Sequence, residues 1–242
     1  MAKAYAQAWH PVFAVPHSSD SRQSKQLLQE FKPDFDAPLF APPSSDQVRR
    51  FLETKRPSAP GPDGLAGHVW LHAGPSAHHL LANISRWLSN GFSMGPTFNE
   101  TLFVCISKAA EDGDEDRIVR DPLATRPLGL KHEVVKIPVG IGLRAFAPVL
   151  HAHAARSERG FIPGRNFLSN IIEFGALARL VAMHDVNIDP VILCTDFTAA
   201  SPCISQQWTE RVLMASRLPD GAKSLLVSSF KGSSPTPPPG TT

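Results

Sequence analysis

Cysteine is scarce. Cys105, Cys194 and Cys203 are the only three in 242 residues, and no two of them form a CxxC pair. So sparse and odd a set argues against a disulfide scaffold and against a structural zinc site. Their apolar neighbours suit inert, buried thiols. Long hydrophobic runs are missing as well. No uninterrupted run approaches the ~20 residues needed to span a bilayer, so neither a transmembrane helix nor a membrane partner is expected. The opening MAKAYAQAWHPVF lacks a basic start, a long apolar stretch and a small-residue cleavage pattern, so the expected location is intracellular. No GxSxG motif and no internal repeat is present. Charge of one sign is not in excess either, with 24 Lys+Arg against 22 Asp+Glu and a net charge of +2. With 42% hydrophobic and 19% charged residues, the composition fits a folded core.

Proline is what the chain has in plenty, 23 residues, which implies interrupted elements and long connections. Six prolines between Pro11 and Pro43 make residues 1–45 an irregular leader, in which SRQSKQLLQEF could form one short helix. DQVRRFLETKR then has Val48, Phe51 and Leu52 at helical spacing, with Asp46 at the favourable end of the dipole. PSAPGPDG stops that helix. Leu80, Leu81, Ile84, Trp87 and Leu88 predict a helix over 76–89, closed by Asn90-Gly91. TLFVCIS predicts a strand, and the acidic loop EDGDED follows. RPLGLKHEVVKIP is ambiguous. A helix from about Glu133 to Leu150 is expected, with Val135, Val139, Leu143, Phe146 and Leu150 on one side, although Gly140 and Gly142 each cost about 1 kcal/mol within it. SERGFIPGR reads as a loop. Residues 168–184 predict a helix with Ile171, Ile172, Leu177, Leu180 and Val181 inward. PVILCTDF predicts a buried strand, and a last helix at 205–217 carries Trp208, Val212 and Leu213. KGSSPTPPPGTT has no large apolar residue, so residues 231–242 are expected to be disordered.

Few side chains stand out chemically. Asp196 ends the PVILCTDF run, and a carboxylate at the carboxyl end of a buried strand faces the sheet edge where ligands approach. It could hold Mg²⁺ against triphosphate oxygens, or it could simply begin a turn or cap a helix. Between Arg117 and Arg165 nine cationic side chains face three acidic ones, a net +6. Such a segment attracts a phosphate backbone, unless the neighbouring EDGDED balances a solvated surface. Gly140-Ile-Gly142-Leu-Arg-Ala145 matches a GxGxxA pyrophosphate cradle, but Pro138 breaks any preceding strand. His68 and His72, at i and i+4, could share a metal, although His78 and His79 nearby suggest a merely histidine-rich stretch.

Five ordered blocks between about residues 48 and 213 resemble the reverse transcriptase domain of non-LTR (LINE-type) retrotransposons. Ser58-Ala-Pro-Gly-Pro-Asp63-Gly64 resembles that family's APGPDG turn. Leu80 to Lys108, with Val104-Cys-Ile-Ser-Lys108, resembles the helix, turn and strand ending in IPK. Arg126-Pro-Leu-Gly-Leu130 with Lys136-Ile137 resembles RPISL and YKI. Gly160-Phe-Ile-Pro-Gly-Arg165-Asn166 with Asn170-Ile171 resembles GFIPGR and DNI. Val191 to Phe197, with Ala200 and Trp208, resembles the first catalytic-aspartate block.

The resemblance implies a helix-rich α+β fold with a few strands, the fingers and first part of the palm of a right-hand polymerase, over residues 46–230. By it, Asp196 is a metal-binding catalytic carboxylate. Lys108, Arg126 and Lys136 lie near the incoming nucleotide or template, and Arg165 lies by the template–primer duplex. Ser201 takes the place of the aromatic residue that excludes the wrong ribose, and Pro202 stands where the family has a second aspartate. The implied partners are an RNA template, a DNA primer, deoxynucleoside triphosphates and Mg²⁺. The family's (Y/F)xDD block is absent, for the chain has no Asp-Asp pair. The sequence therefore predicts a partial polymerase domain inactive alone, with a non-catalytic nucleic-acid-binding remnant or an inert degenerate product as alternatives.

Overall fold

The computed structural model describes residues 4, 7–9, 11, 22–31, 39–95, 97–110, 120–183, 191, 193–196, 204–231 and 235–236. The fold is α+β and helix-rich. Helices α1 (Arg22–Glu30), α2 (Ser45–Thr54), α3 (Gly67–His72) and α4 (Pro75–Ser89) precede strand β1 (Thr101–Ser107). A short 3₁₀ turn, Pro122–Ala124, leads into β2 (Thr125–Lys131). Helices α5 (Glu133–His153), α6 (Leu168–Met183), α7 (Gln206–Ala215) and α8 (Asp220–Ser228) follow, and then β3 (Pro235–Thr236). The chain divides into two compact units. One comprises residues 1–144 and 199–242, the other residues 145–198.

In the larger unit the local signals behave as their chemistry requires. Ser44 caps α2, its hydroxyl accepting from the Gln47 backbone at 3.3 Å while the Gln47 side chain accepts from the Ser44 backbone at 2.8 Å. This capping box satisfies two otherwise orphaned donors. Val48, Phe51 and Leu52 then pack with Leu81 and Ala82 of α4 and Ile137 of α5. A second cluster joins Ile84 and Leu88 of α4 to Leu225 of α8. Burying Leu81 fully is worth about 2–3 kcal/mol. Leu80 and Trp87, expected in the same stripe, remain exposed. Gly91 ends the turn after α4 with φ +79°, a conformation that strains any residue with a Cβ. The indole of Trp9, in the expected leader, is buried and donates to the Pro122 carbonyl at 3.2 Å.

The ambiguous RPLGLKHEVVKIP resolves into the end of β2 and the start of α5. β1 and β2 pair antiparallel from Thr101↔Lys131 to Ser107↔Thr125. Within the tail expected to be disordered, Pro235–Thr236 pairs parallel with β1 at Thr101 and Leu102, a correction for those two residues.

The expected apolar side of α5 is only partly buried. The helix's buried residues include Val135, Ile137, Pro138 and Phe146, whereas Leu143 and Leu150 are exposed. The first half of α5 serves both clusters, so it is covered on more than one side. The two glycines make that approach possible. A Cβ at Gly140 would lie 2.7 Å from the Phe51 ring, and one at Gly142 would lie 2.9 Å from Leu225. Close packing thus offsets their propensity cost, and the GxGxxA segment is mid-helix, not a phosphate loop. At 21 residues and mean hydropathy 1.3, α5 is long and apolar enough to cross a bilayer, by length and composition only. Isolated charges at Lys136 and Arg144 separate its apolar stretches, so no uninterrupted hydrophobic run marks it in the sequence.

The unit of residues 145–198 departs further. Helix α6 forms as expected but has no buried residue, so its expected inward face is wrong. Residues 193–196 are irregular and exposed, with Val191 86% and Leu193 84% accessible. The expected buried strand is therefore contradicted. A β-strand needs a neighbouring ladder, and none pairs with this segment among the described residues. Cys194 is exposed, not buried; Cys105 is half-buried, and Cys203 lies outside the described residues. EDGDED also falls outside them.

Candidate functional site

The APGPDG turn is fastened to the start of α5. Gly61 lies against the β2–α5 junction, where a Cβ would come within 2.7 Å of His132 Cα. The neighbouring Asp63 reaches His132 Nδ1 at 3.0 Å and accepts from the Leu65 backbone at 3.1 Å. Behind the turn lies Glu133, whose side chain is wholly inaccessible. Lys136 Nζ approaches its Oε1 at 2.8 Å and Lys55 Nζ its Oε2 at 3.2 Å. Ser58 donates to Oε1 at 2.9 Å, and Lys136 also donates to the Ala59 carbonyl at 2.8 Å. A buried carboxylate is tolerated only with such compensation. Sequence reasoning did not single out Glu133. Its i,i+3 spacing from Lys136 was visible, but Lys55 is brought in from 78 positions away.

Lys108 and Arg126 share one end of the hairpin. Lys108 Nζ donates to the Leu123 carbonyl at 2.7 Å. Arg126 is exposed opposite Ile106, with Leu128 and Val104 the next pair on that sheet face. On the other face, burial pushes the Cys105 thiol up, partly offset by its hydrogen bond with Thr125. Burial also lowers the pKa of Lys131, whose ammonium donates to the Ser229 carbonyl. Arg144 lies 4.4 Å over the Phe51 ring and donates to Thr54 Oγ1 at 2.9 Å.

In the smaller unit the GFIPGR arginine closes the end of α5. Arg165 donates to the carbonyls of His151 and Ala154 at 3.0 Å each, to Glu158 at 2.7 Å, and to Ala155. The His151 and Ala154 carbonyls lie at the negative end of the helix, where a cation is favoured, and those of Ala155 and Glu158 belong to the turn that follows. Gly164, at φ +79°, turns the chain before it. Arg159 binds Glu173 and Asn170 of α6, and this guanidinium holds the Glu173 carboxyl below its ordinary value. Asp196 is exposed in its irregular segment, and Ser201 and Arg117 fall outside the described residues.

The arrangement thus brings Lys108 near Arg126, commits Lys136 to Glu133, and commits Arg165 to a helix end. No group of three or more His, Cys, Asp or Glu side chains placed to hold a metal occurs among the described residues, His68 and His72 of α3 included. No family model matches the chain, and no curated protein sequence matches it significantly.

Proposed function

We propose that the chain is the fingers and first palm portion of an RNA-directed DNA polymerase of the non-LTR retrotransposon kind, and that it performs no synthesis by itself. The order of the five sequence blocks carries the reading. The fixed local roles of Gly61 and Arg165 support it, because each gives a physical reason for its block to hold its residue types. The reaction class is attack of a primer 3′-OH on a deoxynucleoside triphosphate, directed by an RNA template. Asp196 would supply one carboxylate for Mg²⁺, and one carboxylate cannot position both ions for in-line displacement. Primer extension with Mg²⁺ or Mn²⁺ tests this. No template-dependent incorporation is expected. Incorporation abolished by Asp196→Ala would overturn the claim of inactivity and identify the acid as catalytic.

A second reading is a non-catalytic nucleic-acid-binding remnant, favoured by the exposed Arg126 and Arg156. Against it, Lys108, Lys131, Lys136 and Arg165 all donate to backbone carbonyls within the chain. RNA binding measured across a salt series separates the two. Between Arg120 and Arg165 most described cations are already engaged within the chain, which predicts a shallow slope from this segment; for single strands each neutralised phosphate adds about 0.7 to it. A slope near that of six phosphates would favour the remnant.

A further inference from the structure

Asparagine followed by glycine occurs once in the chain, at Asn90-Gly91. The pair carries its own reactants. A backbone nitrogen lies one peptide beyond the Asn90 side-chain amide, and glycine brings no Cβ to shield it. Every other asparagine precedes isoleucine, phenylalanine or glutamate. The fold then holds this pair in an unreactive form. Asn90 is exposed, but it ends α4 with φ −84° and ψ 5°. That ψ sets the Gly91 nitrogen beside the Asn90 backbone nitrogen, about a third of a turn from Cβ, whereas a five-membered ring through Cβ and Cγ needs the two nearly eclipsed. The Gly91 N–H donates to the Leu88 carbonyl at 3.1 Å and the Phe92 N–H to the Trp87 carbonyl at 3.0 Å. With Gly91 at φ +79°, these two bonds make a Schellman cap. Leu88, in the last turn, anchors it in the cluster with Leu225.

We infer that Asn90 is a site of spontaneous covalent modification that the α4 cap holds shut. When the cap opens, the Gly91 nitrogen gives up its proton to solvent and attacks Asn90 Cγ. The bond from Cγ to the side-chain nitrogen breaks and ammonia leaves, closing a succinimide. Water then opens one of the two imide C–N bonds. The product is aspartate or, where the main chain is rerouted through Cγ, isoaspartate. Water is the only co-reactant. Either product sets a carboxylate at the negative end of α4, where it is disfavoured. The rerouted main chain is also longer by one carbon, so the two cap bonds do not re-form in register and the change runs one way. The inference is independent of the polymerase reading.

Incubation of the full chain at mildly alkaline pH, beside a synthetic peptide of residues 83–97, tests it. Mass spectrometry of the tryptic fragment 87–108 follows the exchange of amide for acid and locates it at Asn90. The peptide is expected to convert, and the folded chain to convert at least about tenfold more slowly, because reaction waits on local opening of the helix end. Leu88→Ala removes the buried anchor and should raise the chain's rate by at least about threefold. Asn90→Gln should abolish conversion there, since the larger ring closes far more slowly. Isoaspartate chains, separated by ion exchange, should melt below the unmodified chain. An unreactive peptide, a folded chain that converts as fast as the peptide, or a rate indifferent to Leu88→Ala would each overturn the inference. So would conversion confined to another asparagine, or an isoaspartate chain that melts like the original.

Discussion

Helices α4 and α6 are nearly the same length, 15 and 16 residues, and both are rich in Leu, Ile and Ala. In α4 Leu81, Ile84 and Leu88 share one side and enter two clusters built with α2, α5 and α8, while Leu80 and Trp87 stay exposed. In α6 the apolar residues surround the axis, and none is buried. Apolar content alone therefore does not decide burial. A stripe specifies one neighbour, whereas an all-round apolar helix specifies several and meets few of them here. The same contrast separates the wholly inaccessible Glu133, answered by three side chains, from the exposed Asp196.

Core truncation draws the contrast most sharply. Leu81→Ala should cost about 2–5 kcal/mol, because it removes buried methyls and leaves a cavity. Each kcal/mol lowers a melt by roughly 2–4 °C in a chain of this size. Leu177→Ala on α6 should stay within about 0.5 kcal/mol, since its side chain is exposed. Thermal melts followed by circular dichroism compare the two. Equal losses would show that α6 is covered after all.

Glu133→Gln comes next, at about 3 kcal/mol. It leaves Lys55 and Lys136 without a counter-charge in a poorly solvated site. The side-chain accessibilities of these lysines, 15% and 28%, place the expectation at the low end of the range for a broken buried pair. Chemical denaturation measures it, and a neutral outcome would mean that the lysines relax to water.

Glycine substitutions carry the comparison to the backbone. Gly61→Ala should destabilise by about 1–3 kcal/mol, since its Cβ meets main-chain atoms of His132 that cannot turn aside. Gly175→Ala should stabilise by up to about 1 kcal/mol, because it lies inside α6 with nothing within 4 Å of the new methyl. Opposite signs in one denaturation series would confirm that the first glycine is required by packing and the second is not.

The elements that were legible in the sequence are those specified locally. The spacing of Val48, Phe51 and Leu52, the β-rich TLFVCIS and the Asn90-Gly91 stop each reveal one element. Helix α3 was missed because six residues carry too little periodicity, and α8 because it follows Pro219 with a weakly one-sided pattern. The buried face of α5 was only partly legible because burial by two clusters blurs a stripe. PVILCTDF has strand propensity, but propensity becomes a strand only with a ladder beside it. Of the candidate site, residue types were legible and partners were not. Lys136 and Arg165 looked like free cations, yet their partners, a carboxylate and four carbonyls, are set by tertiary structure.

The smallest effect is the most local. Glu173 is exposed, and its carboxyl is held below the ordinary 4.5 chiefly by its hydrogen bond to Arg159 and then by the charges of Arg159 and Arg156. A carboxyl with a depressed folded-state pKa binds protons more readily when unfolded. Its contribution is thus present above the unfolded value and is lost as pH falls through the folded one. The tie between α6 and the GFIPGR loop should loosen only on acidification below 4.5. Hydrogen exchange at the Asn170 end of α6, compared with Arg159→Met across the same pH series, reads this directly. The wild type should converge on the variant in acid and diverge from it near neutrality. Parallel curves would show that Arg159 holds the loop through Asn170 alone, whose hydrogen bond at 2.8 Å does not titrate.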